Sequence, residues 1–328
     1  LLFDPENITI RDQNDPDANN GANDGALPDL SNATVGAAGD FEISETGLEG
    51  LAANANIVLE ATNNITMNSL TTDGELALAT TTAGSVTFTA DTDGDGVGAF
   101  TMDTADTIST QGGGLTISGA GVTVGNIDTS GPDNSAGGAV ILDATTGNLV
   151  VGNVATSGGD DVDDSGGNAA GDVTLSGQDI NLGAITALGS AAQTGTNADG
   201  ADGNVLVTAN GSVVAGGNIN VNAGQIDVFV DADELTADGA ESLTIQGTLS
   251  AGTINLDGGA DVQNDSLIVS LTGADTATWI INAAQSGTLV AGASSLASFF
   301  NFSDLTGGAQ TDNFTVSGTG ALAGTAAG

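Results

Sequence analysis

The string Asp91-Thr92-Asp93-Gly94-Asp95-Gly96 places three carboxylates at alternate positions and a glycine at the sixth. This matches the first half of an EF-hand-type loop, in which Asp at positions 1, 3 and 5 and Gly at position 6 wrap a hard cation in oxygen ligands. The second half does not match, because position 12 is Met102 where a bidentate Glu is expected. Asp103, backbone carbonyls or water must therefore complete the site. The sequence predicts a calcium site with the ligands Asp91, Asp93, Asp95 and Asp103.

Asp and Gly are also the ordinary residues of turns, so a plain turn at 91–96 is the alternative interpretation. A second acidic string, Asp160-Asp161-Val162-Asp163-Asp164, is a weaker calcium candidate, because adjacent acids point in different directions on an extended backbone. Even without an ordered site, divalent cations are expected to stabilise so acidic a chain by relieving its repulsion.

Residues that perform acid, base or nucleophilic catalysis are scarce. The chain has no Lys, His, Tyr or Cys, and its one basic residue, Arg11, falls in a polar N-terminal loop. The remaining catalytic possibility is a carboxylate-pair mechanism of the glycosidase type. Its candidates are Asp160, Asp161, Asp163 and Asp164. A glycine-rich loop lacks the apolar surroundings that raise the pKa of one acid. No Gly-Lys-Ser/Thr follows any glycine-rich string, so phosphate binding is excluded as well. The sequence predicts that the chain is not an enzyme.

The charge balance is extreme, with 42 acidic residues against one basic residue and a formal net charge of −41. Phosphate contacts need Lys and Arg, so nucleic acid is excluded as a partner. No run of about 18 apolar residues is present, so membrane insertion is not expected. Self-repulsion of this size destabilises a folded chain unless salt screens it or cations bind. A saline or calcium-containing extracellular setting fits this charge, and the lack of Cys is compatible with it.

Much of the chain consists of short segments that alternate between apolar and polar residues. Examples are Asn56-Ile57-Val58-Leu59, Ser85-Val86-Thr87-Phe88 and Leu115-Thr116-Ile117, with Gly, Asn or Asp between them. Period-2 alternation over three to five residues indicates strands rather than helices. Large side chains are rare, with nine Phe, one Trp and no Tyr. The core is therefore expected to be thin and linear, and the predicted fold is an all-β parallel β-helix, or β-solenoid.

The middle of the chain shows internal repetition. Gly125-Asn126-Ile127-Asp128-Thr129-Ser130-Gly131 returns as Gly152-Asn153-Val154-Ala155-Thr156-Ser157-Gly158. Val140, Val173 and Val205 occupy equivalent places, at spacings of 33 and 32 residues, and are predicted to lie above one another on one face. Loops of variable length fall at one corner of this repeat, where insertion leaves the strands in register. They comprise residues 131–137, 158–171 and 189–203.

Composition divides the chain into three parts. Residues 1–30 are predicted to form an irregular segment with an N-terminal strand and a polar loop, and residues 31–275 the β-helix. Residues 276–328 differ, because they contain half of the aromatic residues of the chain: Trp279, Phe299, Phe300, Phe302 and Phe314. Because an exposed solenoid end must be covered, this part is predicted to be an aromatic-rich C-terminal cap or a junction module. A helix-like stretch at 43–55 contains two glycines, which leaves a helix as one alternative and a short turn or single helical turn as the other.

Several segments resemble the large filamentous-haemagglutinin-like proteins that cyanobacteria and other Gram-negative bacteria export by two-partner secretion. The segments include Leu1-Leu2-Phe3-Asp4-Pro5-Glu6-Asn7-Ile8-Thr9-Ile10 and Asn301-Phe302-Ser303-Asp304-Leu305-Thr306-Gly307-Gly308. Others lie at 41–44, 48–51, 53–57, 84–98, 113–117 and 279–281. The resemblance implies a right-handed parallel β-helix on, or shed from, the surface of a Gram-negative bacterium, and it implies no catalytic residues.

Two functions of different kinds are then open. The first is a structural subunit that associates with itself through the β-helix ends into a fibre or a surface layer. The second is an adhesin that binds a host, surface or glycan ligand through the variable loops. Those loops contain no aromatic residue on which a sugar can stack, which favours the fibre or scaffold.

Overall fold

Short strands joined by tight turns account for nearly all of the regular structure. The computed structural model describes residues 5–12, 40–194, 197–233, 240–259, 264–271 and 276–328. In chain order the strands and the helix are β1 (Asn7–Arg11), β2 (Asp40–Ser44), α1 (Glu45–Glu49), β3 (Asn56–Glu60), β4 (Ile65–Met67), β5 (Glu75–Thr81), β6 (Ser85–Thr89), β7 (Ala99–Thr101), β8 (Thr107–Gln111), β9 (Gly114–Gly119), β10 (Gly121–Val124), β11 (Asn126–Asp128), β12 (Val140–Ala144), β13 (Leu149–Val151), β14 (Val154–Ala155), β15 (Val173–Gly177), β16 (Ile180–Leu182), β17 (Ile185–Thr186), β18 (Val205–Ala209), β19 (Val213–Ala215), β20 (Ile219–Asn220), β21 (Gln225–Phe229), β22 (Ser242–Ile245), β23 (Leu249–Ser250), β24 (Thr253–Asp257), β25 (Ser266–Val269), β26 (Ala277–Ala283), β27 (Ser286–Ala291), β28 (Ala297–Phe300), β29 (Asp304–Thr306), β30 (Asn313–Val316) and β31 (Ala326–Ala327).

These strands assemble into three sheets, and from β7 to β24 each successive coil adds one strand to each sheet. Sheet 1 has the order β2-β1-β4-β7-β10-β13-β16-β19-β22-β25-β29-β31. Sheet 2 has the order β23-β20-β17-β14-β11-β8-β5, and sheet 3 the order β3-β6-β9-β12-β15-β18-β21-β24-β28-β27-β26-β30. Strands of neighbouring coils pair in parallel. The chain is a β-solenoid, and the predicted fold class is confirmed.

Equivalent residues of successive coils stack in register. Val140 pairs with Val173, and Val173 with Val205, as the repeat predicts. All three are at most 1% exposed. Alternation within a strand separates core from surface: in β12 Leu142 is fully buried, whereas the preceding Ile141 is 43% exposed. The core is thus a line of aliphatic side chains, each removed from water by the coils above and below it.

Polar side chains at the strand starts tie each coil to the next. Asn126 Oδ1 accepts a hydrogen bond from Asn153 N at 3.1 Å, and Asn153 Oδ1 accepts one from Ala184 N at 2.9 Å. Further along sheet 2, Asn218 Oδ1 accepts one from Thr248 N at 2.9 Å. The same bond occurs at the starts of strands in the other two sheets. Its acceptors there are Asn56, Asn64, Asn148, Asp172, Asp179 and Asn204. These bonds satisfy backbone amides that each turn would otherwise leave unpaired.

Buried threonines close the base of the loops that the repeat predicts. Thr129 Oγ1 donates to Gly138 O at 2.6 Å, and Thr156 Oγ1 donates to Gly171 O at 2.7 Å. Both threonines are fully buried. A loop of any length can therefore leave and rejoin the coil at the same two positions, because the closing bonds are made below it.

The C-terminal part departs from a simple coil. β26 pairs with β27 and β27 with β28 in antiparallel fashion, so a meander is inserted into sheet 3. The fully buried Trp279 contacts Phe299 edge-on, with ring centroids 6.0 Å apart, and stacks on Phe314 at 5.5 Å. The predicted aromatic cluster is present, whereas the antiparallel strands were not predicted.

The N-terminal strand is part of the solenoid. β1 lies between β2 and β4 in sheet 1, with Ile8 and Ile10 buried. Arg11, placed in a polar loop by the sequence analysis, is the last residue of β1, and its guanidinium forms an ion pair with Glu42 of the neighbouring strand. The predicted polar loop, residues 11–29, lies outside the described residues except for Arg11 and Asp12.

A single helical turn follows β2, as one of the two alternatives for 43–55 predicts. Ser44 caps α1, because its hydroxyl oxygen accepts a hydrogen bond from Gly47 N at 2.9 Å. Leu48 of the helix is buried in the core. Glu49 Oε1 accepts a hydrogen bond from Ala77 N at 2.8 Å, so the helix also covers the outer edge of β5.

The alternation in β12 can be tested with two adjacent residues. We expect Leu142→Ala to lower the free energy of unfolding by about 2–5 kcal/mol, because it leaves a cavity in the core. Ile141→Ala removes an exposed side chain and is expected to cost less than about 1 kcal/mol. Urea unfolding followed by circular dichroism measures both. Equal losses in the two variants would contradict the described orientation of β12.

Candidate metal site and the acidic loops

The corner between β6 and β7 carries the acidic string that predicts calcium binding. The chain leaves the sheet at Asp91, whose φ of 56° is left-handed. Asp91 N donates to Asn63 O at 3.0 Å and Thr92 N donates to Ala61 O at 3.1 Å, so the preceding coil holds the start of the loop in place. Gly96 has a φ of 80°, which favours glycine at the sixth position.

Three carboxylates converge in this loop. Asp91, Asp93 and Asp95 each offer an oxygen, and these atoms lie within 4.8 Å of one another. Asp91 Oδ2 accepts a hydrogen bond from Gly96 N at 3.2 Å, and Asp95 Oδ1 accepts one from Val97 N at 2.8 Å. Asp91 Oδ1 is buried without a hydrogen-bond partner among the described residues. A buried acceptor without a donor is costly, and a cation would supply the missing interaction.

This cluster has the chemistry to bind a metal ion. Calcium binds oxygens at about 2.3–2.6 Å, so two oxygens on one ion lie up to about 5 Å apart, which accommodates the observed spacing. Asp93 and Asp95 are exposed, so water can complete the coordination. Met102, where an EF-hand carries its bidentate Glu, is 6% exposed and packs in the core. The structure brings three of the predicted ligands together, and calcium binding by them stays a prediction.

Asp103, the fourth predicted ligand, lies outside this cluster, at the opposite end of β7. It belongs to a second acidic corner around Asp106, a 4% exposed residue whose Oδ2 accepts a hydrogen bond from Leu70 N at 2.9 Å. Burial raises the pKa of the Asp106 carboxyl, although the Leu70 hydrogen bond opposes this. The pKa is raised further by the neighbouring carboxylates of Asp103, Asp12 and Asp73.

The second acidic string joins two protruding loops. Asp161 is 6% exposed, and its Oδ2 accepts hydrogen bonds from Gln193 N at 2.8 Å and Gly166 N at 3.3 Å. Its Oδ1 accepts one from Ser165 N at 3.1 Å. These bonds, chiefly the one from Gln193, lower the pKa of the Asp161 carboxyl. The sequence analysis missed this role, since Gln193 is 32 residues away and nothing local distinguishes Asp161 from its acidic neighbours.

The other acids of this string also bond to the loops. Asp163 Oδ1 accepts a hydrogen bond from Ser165 N at 3.1 Å, and Asp164 Oδ1 accepts one from Thr194 Oγ1 at 2.6 Å. Within the described ranges, no group of three potential metal ligands other than Asp91, Asp93 and Asp95 comes together. The weaker calcium candidate is therefore not supported. A lowered pKa at Asp161 is also the opposite of what a general acid needs.

Comparisons with known proteins give no family for this chain. No protein-family model matches it, and neither the curated proteins nor the solved structures contain a match. No helix in the described part of the chain has the length and apolar character to span a membrane. What the observations define is a class: a strongly acidic three-sheet β-solenoid with an Asp triad able to bind a metal ion.

Replacing Asp161 by Asn tests its role between the loops. We expect faster amide hydrogen exchange in peptides covering Ser165, Gly166 and Gln193, because a neutral amide is a weaker acceptor than a carboxylate. Asp160→Asn removes the same charge from an exposed neighbour and is expected to leave this exchange unchanged. Equal effects of both variants would show that only the charge matters.

The same contact predicts a pH dependence of the wild-type loops. The pKa of Asp161 lies below the ordinary value of about 3.9. Its contribution to stability is therefore complete at neutral pH and is lost as the pH falls from about 4 through the lowered pKa. A carboxyl NMR titration of Asp161 with a midpoint above 3.9 would contradict this assignment.

Proposed function

We propose that this chain is a non-catalytic, extracellular structural rod that serves as a subunit of a surface fibre or layer. The observation that carries the proposal is the three-sheet stack, in which each coil from β7 to β24 adds one parallel strand to each sheet. A stack of coils gives length and stiffness from small side chains, because each coil contacts only its neighbours. The lack of Lys, His, Tyr and Cys supports a role without catalysis.

Open sheet edges support association through the ends. In the described part of the chain, sheet 3 ends in β3 and β30 and sheet 1 in β2 and β31, each with a strand on one side only. Val316 of β30 is 63% exposed. Unpaired strand edges readily accept a further strand. At the N-terminal end of sheet 2, by contrast, α1 and the turn after it cover β5, where Thr81 N donates to Ala53 O at 2.8 Å.

The charge of the chain bears on where and how it assembles. Two subunits of net charge −41 repel each other unless salt or bound cations reduce that charge. We propose Ca²⁺ as the ion at Asp91, Asp93 and Asp95, since these are hard oxygen ligands and calcium tolerates irregular geometry. The resemblance of several segments to filamentous-haemagglutinin-like proteins supports the surface of a Gram-negative bacterium as the location.

Binding through the variable loops is the alternative function. The described loop residues hydrogen-bond mainly to one another: Gly159 N donates to Ser135 O at 2.9 Å, and Gly167 N donates to Ala198 O at 2.9 Å. Loops joined in this way form a ridge with few free backbone donors, which favours a structural role for them. We therefore propose no ligand for the loops.

End-to-end association can be tested at β30. Ser317 N donates to Ile281 O toward β26 at 2.9 Å, and successive N–H groups of a strand point to opposite sides, so the N–H of Val316 points to the open edge. We expect wild-type protein at high concentration and physiological salt to form long filaments in negative-stain images. Val316→Pro removes that donor and is expected to leave short rods, whereas Val316→Thr is expected to assemble normally. Short rods from all three proteins would contradict assembly through β30.

Calcium binding can be tested by thermal unfolding at fixed, high ionic strength. We expect millimolar calcium to raise the melting temperature, by an amount equivalent to about 2.7 kcal/mol when calcium is 100-fold above its Kd. The double variant Asp93→Asn, Asp95→Asn is expected to lose this rise. The matched control Asp133→Asn, Asp160→Asn removes two exposed charges elsewhere and is expected to keep it. An equal rise in both double variants would place the calcium elsewhere.

A further inference from the structure

Two phenylalanines are placed differently from the other aromatic residues. Phe229 is 38% exposed and Phe300 is 41% exposed. Of the other described aromatic residues, one is partly buried and the rest are buried: Phe314, then Phe41, Phe88, Phe100, Trp279, Phe299 and Phe302. In a chain with so few large side chains, two rings left at the surface are informative.

The two rings lie in one column on the outer face of sheet 3. Phe229 pairs with Asp257, and Asp257 pairs with Phe300 on the next strand. Two strand spacings separate the phenylalanines, which is about 10 Å. Asp257 Oδ1 accepts a hydrogen bond from Asn301 Nδ2 at 2.7 Å. The Asp257 carboxylate thus lies between the two exposed rings, and the Asn301 amide lies next to Phe300.

The surface beside Phe229 is concave. Phe229, Asp257 and Asn301 line a depression of about 370 Å³. A second depression of about 340 Å³ on the same sheet is lined by Thr174, Leu206 and Asp227 among others. Asp227 and Phe229 belong to the same strand, β21, and we call the two depressions together with Phe300 the groove. Each volume falls in the lower part of the range of ligand sites.

We propose that this groove binds a neutral glycan, with Phe229 and Phe300 as stacking platforms and Asp257 and Asn301 as hydrogen-bond partners. A sugar ring has an apolar C–H face that covers a flat aromatic surface, and its hydroxyl rim needs both donors and acceptors. The groove supplies both, since a carboxylate accepts and an amide donates. The two strand spacings between the rings suit a chain of sugars better than a single sugar.

The negative charge of the groove determines which class of glycan it can bind. Asp227 and Asp257 line the groove, and no basic residue is available, because Arg11 pairs with Glu42 at the other end of the stack. Uronates, sulfated sugars and phosphate groups would be repelled. A hydroxyl-rich neutral oligosaccharide avoids this repulsion and donates to the carboxylates. This binding face is distinct from the loops and adds a function to the proposed rod.

The test uses the whole chain and four defined probes: cellohexaose, xylohexaose, laminarihexaose and, as the anionic comparison, oligogalacturonate. We expect at least one neutral probe to bind in calorimetry and oligogalacturonate to bind more weakly at low salt. Phe229→Ala and Phe300→Ala are each expected to weaken the binding by about tenfold. Phe300→Leu keeps apolar area without the flat ring and is expected to weaken it similarly. Asp257→Asn tests the acceptor and is expected to weaken it as well.

Val58→Ala is the matched control, since it removes a 52% exposed apolar side chain from β3, at the far end of the same sheet, and its affinity is expected to equal that of the wild type. Unchanged circular dichroism and melting temperature establish that each variant is folded. No binding of any neutral probe, or equal weakening by Val58→Ala and Phe229→Ala, would overturn the proposal. Loss of self-association in the Phe variants without any glycan binding would also overturn it, because the groove would then be a contact between copies.

Discussion

The hydrogen-bond register between equivalent residues of successive coils is the constraint on which the rest of the structure depends. Parallel pairing sets each residue about 4.8 Å from its equivalent in the next coil. Every buried position must then accept a similar side chain above and below, as Val173 does between Val140 and Val205. The core cannot widen in one coil without disturbing its neighbours. Insertions are therefore confined to the corners.

The acidity of the chain follows partly from the same constraint. Asp172 Oδ1 accepts a hydrogen bond from Asn204 N at 2.7 Å, and Asp179 Oδ1 accepts one from Ser212 N at 2.9 Å, at strand starts where other coils use Asn. A carboxylate is the stronger acceptor, but each one adds charge. The Debye length at physiological salt, about 8 Å, exceeds the rise of one coil. Carboxylates of adjacent coils therefore still repel each other at physiological salt, and bound cations would reduce this repulsion.

Sequence reasoning succeeded where information is local and repeated. The alternation around Val140, Val173 and Val205 predicted both the strands and their stacking, since equal spacing implies equal position in the coil. It failed where strand pairing depends on residues that are far apart in the sequence. Neither the insertion of β1 between β2 and β4 nor the antiparallel meander β26-β27-β28 has a local signal. The Asp triad was predictable because its ligands lie within five residues, whereas the separation of Asp103 depended on the length of β7.

A linear stack also determines how separate sites influence one another. The Asp91 loop follows β6, and Phe229 lies on β21, five strands further along sheet 3, or about 24 Å. Each coil touches only its neighbours, so free energies add along the rod, and a perturbation at one coil weakens with each coil it must cross. A cation at Asp91 stabilises the coils beside it and leaves the geometry of Phe229 and Asp257 unchanged. The rod can therefore carry several independent surfaces, and its rigidity fixes their spacing without coupling their affinities.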